Sequence, residues 1–160
     1  MITYAVYLLI VALLVLADQL SKKAVVANIA LNDKIPVIKG FFNLTYVKNF
    51  GAGFSILQNA RLFLIAISTV AVIALAVLIY RTKKNDFVSL VSYLLILSGA
   101  LGNLIDRAVN GYVVDFLDFI IFGYDYPVFN IADSFITIGC FILIIQAFTE
   151  NRRAKNKTAG

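Results

Sequence analysis

Residues 62–80 read LFLIAISTVAVIALAVLIY, an uninterrupted run without a single charge. At about 1.5 Å of rise per residue a helix over this run covers roughly 28 Å, close to the hydrocarbon thickness of a bilayer. A helix that is apolar around its whole circumference belongs in a membrane or at the centre of a large core. Three further stretches approach the same length, at 2–17, 87–105 and 131–148. The chain has 160 residues, of which 61% are hydrophobic, and its mean hydropathy is +0.90. No small soluble domain could bury that much apolar surface. The expectation is an α-helical membrane protein with four transmembrane helices forming one domain over 1–160. Its outer loops fall at about 18–61 and 106–130, with a tail at about 150–160.

Charge supports a topology. Lys and Arg number 14 against 9 Asp and Glu, for a net +5, but the basic residues lie in short loops and the tail, where membrane topology explains them. Nucleic acid is not an expected partner. The first span lacks a basic segment before it and a small-residue cleavage site after it, so it reads as a retained helix rather than a signal peptide. Four spans put both termini on one side. The clusters at 81–84 and 152–157 make that side cytoplasmic, although Lys22, Lys23, Lys34, Lys39, Lys48 and Arg61 in the first outer loop run against the same rule.

Composition also removes chemistries. The chain has no histidine, which excludes Ser-His and Cys-His nucleophile systems and the commonest zinc ligand. Cys140 is the only cysteine; it sits mid-span and is assigned to packing. Carboxylates remain. An ionisable group in or beside the hydrocarbon layer costs roughly 2.5 to 3.5 kcal/mol on the insertion scale, so each one asks for a purpose.

Helical spacing gathers the polar residues into stripes. Asp18, Ser21 and Lys22 share one face, Gly99, Gly102, Asn103 and Asp106 a second with Arg107 adjoining, and Asn130, Asp133, Ser134 and Thr137 a third. Because successive spans alternate in direction, all three stripes lie at the same outer membrane face. Interhelical glue accounts for the Ser and Gly residues but leaves the carboxylates without a reason.

Outside the spans, 35–38 and 42–47 read as two β segments around Lys39-Gly40, followed by the turn-prone 49–54. The segment from Tyr112 to Phe129 is rich in aromatics and suits the headgroup level. Asp115 and Asp133 flank it, so a fold-back can bring them together. Two carboxylates in close contact cannot both ionise readily, which makes one an acid and the other a base, the requirement for aspartic proteolysis without metal or cofactor. Asp106 with Arg107, and Asp18 with Lys22, read as structural ion pairs; Asp118 and Asp125 read as solvated loop residues. Two other readings stand beside the proteolytic one: a proton-coupled transporter with Asp133 and Asp106 as a relay, and a non-catalytic scaffold.

Five segments, in order, resemble one family. Asp18-Gln19-Leu20-Ser21-Lys22, Asn49-Phe50-Gly51-Ala52-Gly53-Phe54, Gly99-Ala100-Leu101-Gly102-Asn103-Leu104-Ile105-Asp106-Arg107, Val113-Val114-Asp115-Phe116 and Phe129-Asn130-Ile131-Ala132-Asp133 are similar to the motifs of the lipoprotein signal peptidases. These are also called signal peptidase II, the bacterial intramembrane aspartyl proteases. Ser98 and Gly53 depart from the family pattern, each by a small-for-small exchange. The resemblance implies that Asp115 and Asp133 are the catalytic dyad. It further implies that Asp18, Lys22, Asn49, Gly99, Asn103, Asp106, Arg107, Asn130 and Ala132 line or support the site, with no metal and no cofactor. The implied partners are prolipoproteins bearing diacylglycerol on the lipobox cysteine, membrane lipid and globomycin-type cyclic peptides. The implied setting is the bacterial cytoplasmic membrane, with the site near its extracytoplasmic face beneath a β-cradle and a short interfacial helix.

Overall fold

The computed structural model describes residues 2–51, 57–83 and 85–158. Elements follow in the order α1 (Ile2–Asn28), β1 (Lys34–Ile38), β2 (Phe42–Asn49), α2 (Arg61–Arg81), α3 (Phe87–Val109), β3 (Val113–Ile121), β4 (Tyr124–Asp125) and α4 (Ile131–Thr158). Within them, Tyr4–Asn28, Arg61–Arg81, Phe87–Val109 and Ile131–Glu150 are each long and apolar enough to cross a membrane. Most of their large apolar side chains face outward, as at Leu62, Val70 and Ile73. That is the distribution for helices solvated by lipid rather than water.

Three spans are longer than their apolar runs. α1 continues as helix past position 17 to Asn28, because its second half trades lipid for protein: Val25 and Ile29 pack with Tyr46, Val114 and Phe116 in a core beneath the sheet. α3 likewise runs beyond position 105 to Val109. Arg61 extends across its end, Nε donating to Arg107 O and Nη2 to Ala108 O, both at 2.9 Å. Two carbonyls that the helix leaves unpaired thereby find a cation. α4 extends through most of the stretch expected as a tail.

α3 is the central helix and packs against the other three. A second core joins Val11, Ile79, Leu90 and Leu94 from α1, α2 and α3. Glycine governs its contact with α4. A Cβ at Gly99 would collide with the backbone oxygen of Ala132, and one at Gly139 would lie 2.8 Å from Ser92 O. At Gly102 a Cβ would lie 2.5 Å from Asp18 Oδ2. Such small residues let membrane helices approach closely enough to pack without a hydrophobic driving force.

The four strands form an antiparallel sheet in the order β1-β2-β3-β4. Both expected β segments are present, and the aromatic segment expected at headgroup height is largely strand. Val113 to Phe116 are buried on both faces, so the alternation that advertises a half-exposed strand is missing there. No separate short helix lies between the spans among the described residues; the polar ends of the spans meet the sheet directly.

Candidate functional site

The site grows from the way α4 begins. Asn130 precedes the helix, and its Oδ1 accepts from the backbone N–H of Asp133 at 3.0 Å. Asp133 Oδ2 in turn accepts from the backbone N–H of Asn130 at 3.2 Å. This is a reciprocal capping box with Asn and Asp in place of the usual Ser and Glu. It spends the Asn130 carbonyl on the helix and leaves the amide free to donate outward. That amide reaches Asp115 Oδ1 at 2.6 Å. One residue therefore bonds both carboxylates that flank the aromatic segment.

Each carboxylate has a second donor. Asn103 Nδ2 donates to Asp133 Oδ1 at 2.7 Å, and Asn49 Nδ2 donates to Asp115 Oδ2 at 2.9 Å. Asp115 lies on β3 and is 3% exposed. Burial, then the charge of neighbouring Asp133, pushes its carboxyl from the ordinary 3.8 up to about 7, while Asn49, Asn130 and Lys22 pull the other way. A buried carboxyl that holds its proton near neutrality, beside a second carboxylate, can both give and receive a proton.

Beneath this pair lies a fully buried ionic cluster. Lys22 Nζ contacts Asp18 Oδ2 and Asp106 Oδ2, both at 2.9 Å, and Asn103 Oδ1 at 3.0 Å. Asp18 also accepts from the backbone N–H of Ala132 at 3.0 Å, so a carboxylate from α1 occupies the positive end of α4. The pairing of Asp18 with Lys22 is as expected. Asp106 departs from expectation: its cation is Lys22 rather than Arg107. Consecutive helical residues diverge by about 100° and cannot face one another. Arg107 instead donates to Gly51 O at 3.0 Å and Asn103 O at 3.4 Å, with its guanidinium in electrostatic reach of Asp133 and Asp115.

A cavity of about 770 Å³ opens beside the pair, and Asn49, Asn103, Arg107, Asp115 and Asp133 all line it. Val128, Phe129, Ile136 and Ile138 give it an apolar wall. Asp18, Lys22 and Asp106 sit behind this lining as support, Asn130 bridges the two carboxylates, and Gly99 and Ala132 set the α3–α4 spacing that holds Asn103 against Asp133. Ala52, Gly53 and Phe54 of the second motif lie outside the described residues.

Two participants were not anticipated. Gln19 Nε2 donates to Asp18 Oδ2 at 3.1 Å, Asp106 Oδ1 at 3.0 Å and Gly102 O at 3.2 Å; its place next to Asp18 in a polar break was the available signal. Asp118 is 1% exposed rather than solvated. Lys34 Nζ meets its Oδ2 at 2.8 Å and Asn43 Nδ2 donates to the same oxygen at 3.2 Å, fastening β1, β2 and β3 together. Asp125 is exposed as expected.

Fold and site together define a multi-pass membrane protein with Asp18, Asp106, Asp115 and Asp133 gathered at one end of a four-helix bundle. The family model described as Signal peptidase (SPase) II matches residues 10–149. The lipoprotein signal peptidase of Brevibacillus brevis is 42% identical over 147 residues, covering 92% of this chain and 97% of that one. That of Bacillus subtilis is 40% identical, covering 94% and 98%. A solved bacterial membrane enzyme, determined by the in meso method, superposes with a TM-score of 0.86 at 37% identity, covering 92% and 90%. A second superposes with a TM-score of 0.81 at 38% identity, covering 89% of this chain and 92% of that one. The chain belongs to the signal peptidase II family, and it is a peptidase of the membrane.

Proposed function

We propose that Asp115 and Asp133 are the catalytic dyad of an aspartic endopeptidase. It cleaves diacylglyceryl-modified prolipoproteins immediately before the lipidated cysteine. The observation that carries this reading is the double bond of Asn130, which donates to Asp115 from its side chain and to Asp133 from its backbone. This holds the two carboxylates at one wall of the cavity. The elevated pKa of Asp115 adds to it, since the pair then retains a proton into the neutral range.

In the proposed reaction the ionised member of the dyad takes a proton from water as its oxygen attacks the carbonyl before the cysteine. The protonated member hydrogen-bonds the carbonyl oxygen and then delivers its proton to the departing amine, and the C–N bond breaks. A new carboxyl on the signal peptide and a free amine on the lipidated cysteine result. The pair exchanges roles in one turnover, so its pH behaviour belongs to both residues together. Asn49, Asn103 and Arg107, which line the same cavity, serve to pair the backbone groups of a locally unwound peptide, costly to leave unbonded at this depth.

The basic clusters support an orientation with both termini in the cytoplasm and the site near the extracytoplasmic face of the bacterial cytoplasmic membrane. There a lipid-anchored peptide presents its scissile bond at headgroup height. A cavity with a carboxylate wall and an apolar wall also suits globomycin-type cyclic peptides. The test is incubation of purified protein with a diacylglyceryl-modified precursor and its unlipidated counterpart, alongside Asp115→Asn and Asp133→Asn. Cleavage of the lipidated form alone, abolished by either substitution in a folded protein, is expected. Retained cleavage by either variant would sink the dyad.

A further inference from the structure

The end of the sheet farthest from the ionic cluster carries a feature that catalysis does not use. β3 and β4 join through a two-residue tip, Phe122-Gly123, flanked by the pair Ile121 and Tyr124. Both tip residues have positive φ, 51° at Phe122 and 81° at Gly123, the sign pattern of the type I′ turn. That turn favours Asn at its first position, because a bulky side chain is strained at positive φ. Phenylalanine gains nothing within the protein in return: it is 106% exposed, fully clear of its surroundings.

The neighbouring tip is built alike. β1 and β2 join through Lys39-Gly40-Phe41, and the backbone of Phe41 accepts from Ile120 N at 2.8 Å, so the two tips lie side by side. Ile38, Phe41, Ile121, Phe122 and Tyr124 are all exposed there. Lys39 is the only charged residue in either tip. A contiguous apolar patch of this kind marks a contact surface.

We propose that this paired tip is a lipid-inserting anchor that seats the sheet in the headgroup region of the bilayer. Lipid is the occupant because the bundle below is already surrounded by it, and because exposed aromatics with a flanking lysine match an interface of apolar chains and anionic headgroups. The anchor bears on the site through stacked rings. Phe41 of the tip packs edge-on against Phe119 at 5.5 Å, Phe119 stacks on Phe129 at 5.8 Å, and Phe129 belongs to the cavity wall. Lipid contact at the tips thereby sets the height of the cavity over the membrane.

The chain contains no tryptophan, so Phe122→Trp installs a sole indole reporter. In vesicles of phosphatidylethanolamine and phosphatidylglycerol its emission is expected to be blue-shifted, quenched by lipids brominated on their acyl chains and shielded from aqueous iodide. A parallel Tyr124→Trp reporter is expected to lose several-fold of its lipid quenching when combined with Phe122→Asn. That second substitution suits the turn and should leave thermal unfolding unchanged or raised. Water-like emission with free iodide quenching at Phe122→Trp would overturn the proposal, as would shielding that appears only after precursor is added. The readout requires no cleavage, so its failure is distinct from failure of the dyad.

Discussion

Lys22 determines which way round the Asn103 amide sits. Its ammonium lies 3.0 Å from Oδ1, which commits the amide nitrogen to Asp133 at 2.7 Å. The same ammonium separates the buried carboxylates of Asp18 and Asp106. Lys22→Met is therefore expected to leave two buried carboxylates without a cation, at a cost of roughly 3–5 kcal/mol. Thermal unfolding in detergent measures the loss, and an unchanged midpoint would refute the supporting role.

The carboxyl of Asp115 gives a pH prediction with a definite sign. Its pKa is raised from 3.8 to about 7, so between those values the folded protein holds a proton that the unfolded chain has released. Stability from this group is full below pH 3.8, declines as pH rises and is gone above about 7. Denaturation across that window should show the decline in the parent and a flatter profile in Asp115→Asn. On the catalytic side, kcat/KM should fall as pH rises through about 7, since the pair then loses its shared proton.

Asn49 moves that limb. Its amide bond to Asp115 favours the ionised form, so Asn49→Ala is expected to raise the Asp115 pKa further and shift the alkaline fall in kcat/KM to higher pH. A shift to lower pH, or none, would contradict the assignment.

Gly99 sets how near α4 comes to α3. A methyl group there meets the backbone oxygen of Ala132, which cannot swing aside as a side chain would. Gly99→Ala should destabilise by roughly 1–3 kcal/mol and reduce cleavage, because Asn103 and Asp133 would be pushed apart. Thermal unfolding together with precursor turnover checks both halves.

The spans were legible because an apolar run such as 62–80 has few alternatives in water. Their ends were less so. Hydropathy stops at Asp18, but the helix continues, since Asp18, Lys22 and Val25 keep one face inward while their partners change from helix to sheet. The stripes on α1, α3 and α4 foretold which residues meet. They could not foretell that Lys22 rather than Arg107 pairs with Asp106, although the divergence of adjacent helical side chains disfavours that neighbour. Asp118 was illegible for another reason. Its cation, Lys34, is remote in sequence and reaches it only through the registers of β1 with β2 and of β2 with β3.

The bond from Ala132 N to Asp18 Oδ1 joins the first helix to the last. A chain still emerging into the membrane has Asp18 and Lys22 in place long before α4 exists to meet them. The cavity acquires its second carboxylate only when that final helix arrives. With Asp115 and Asp133 as the proposed dyad, the order of synthesis itself keeps the two carboxylates apart until the last span is in place.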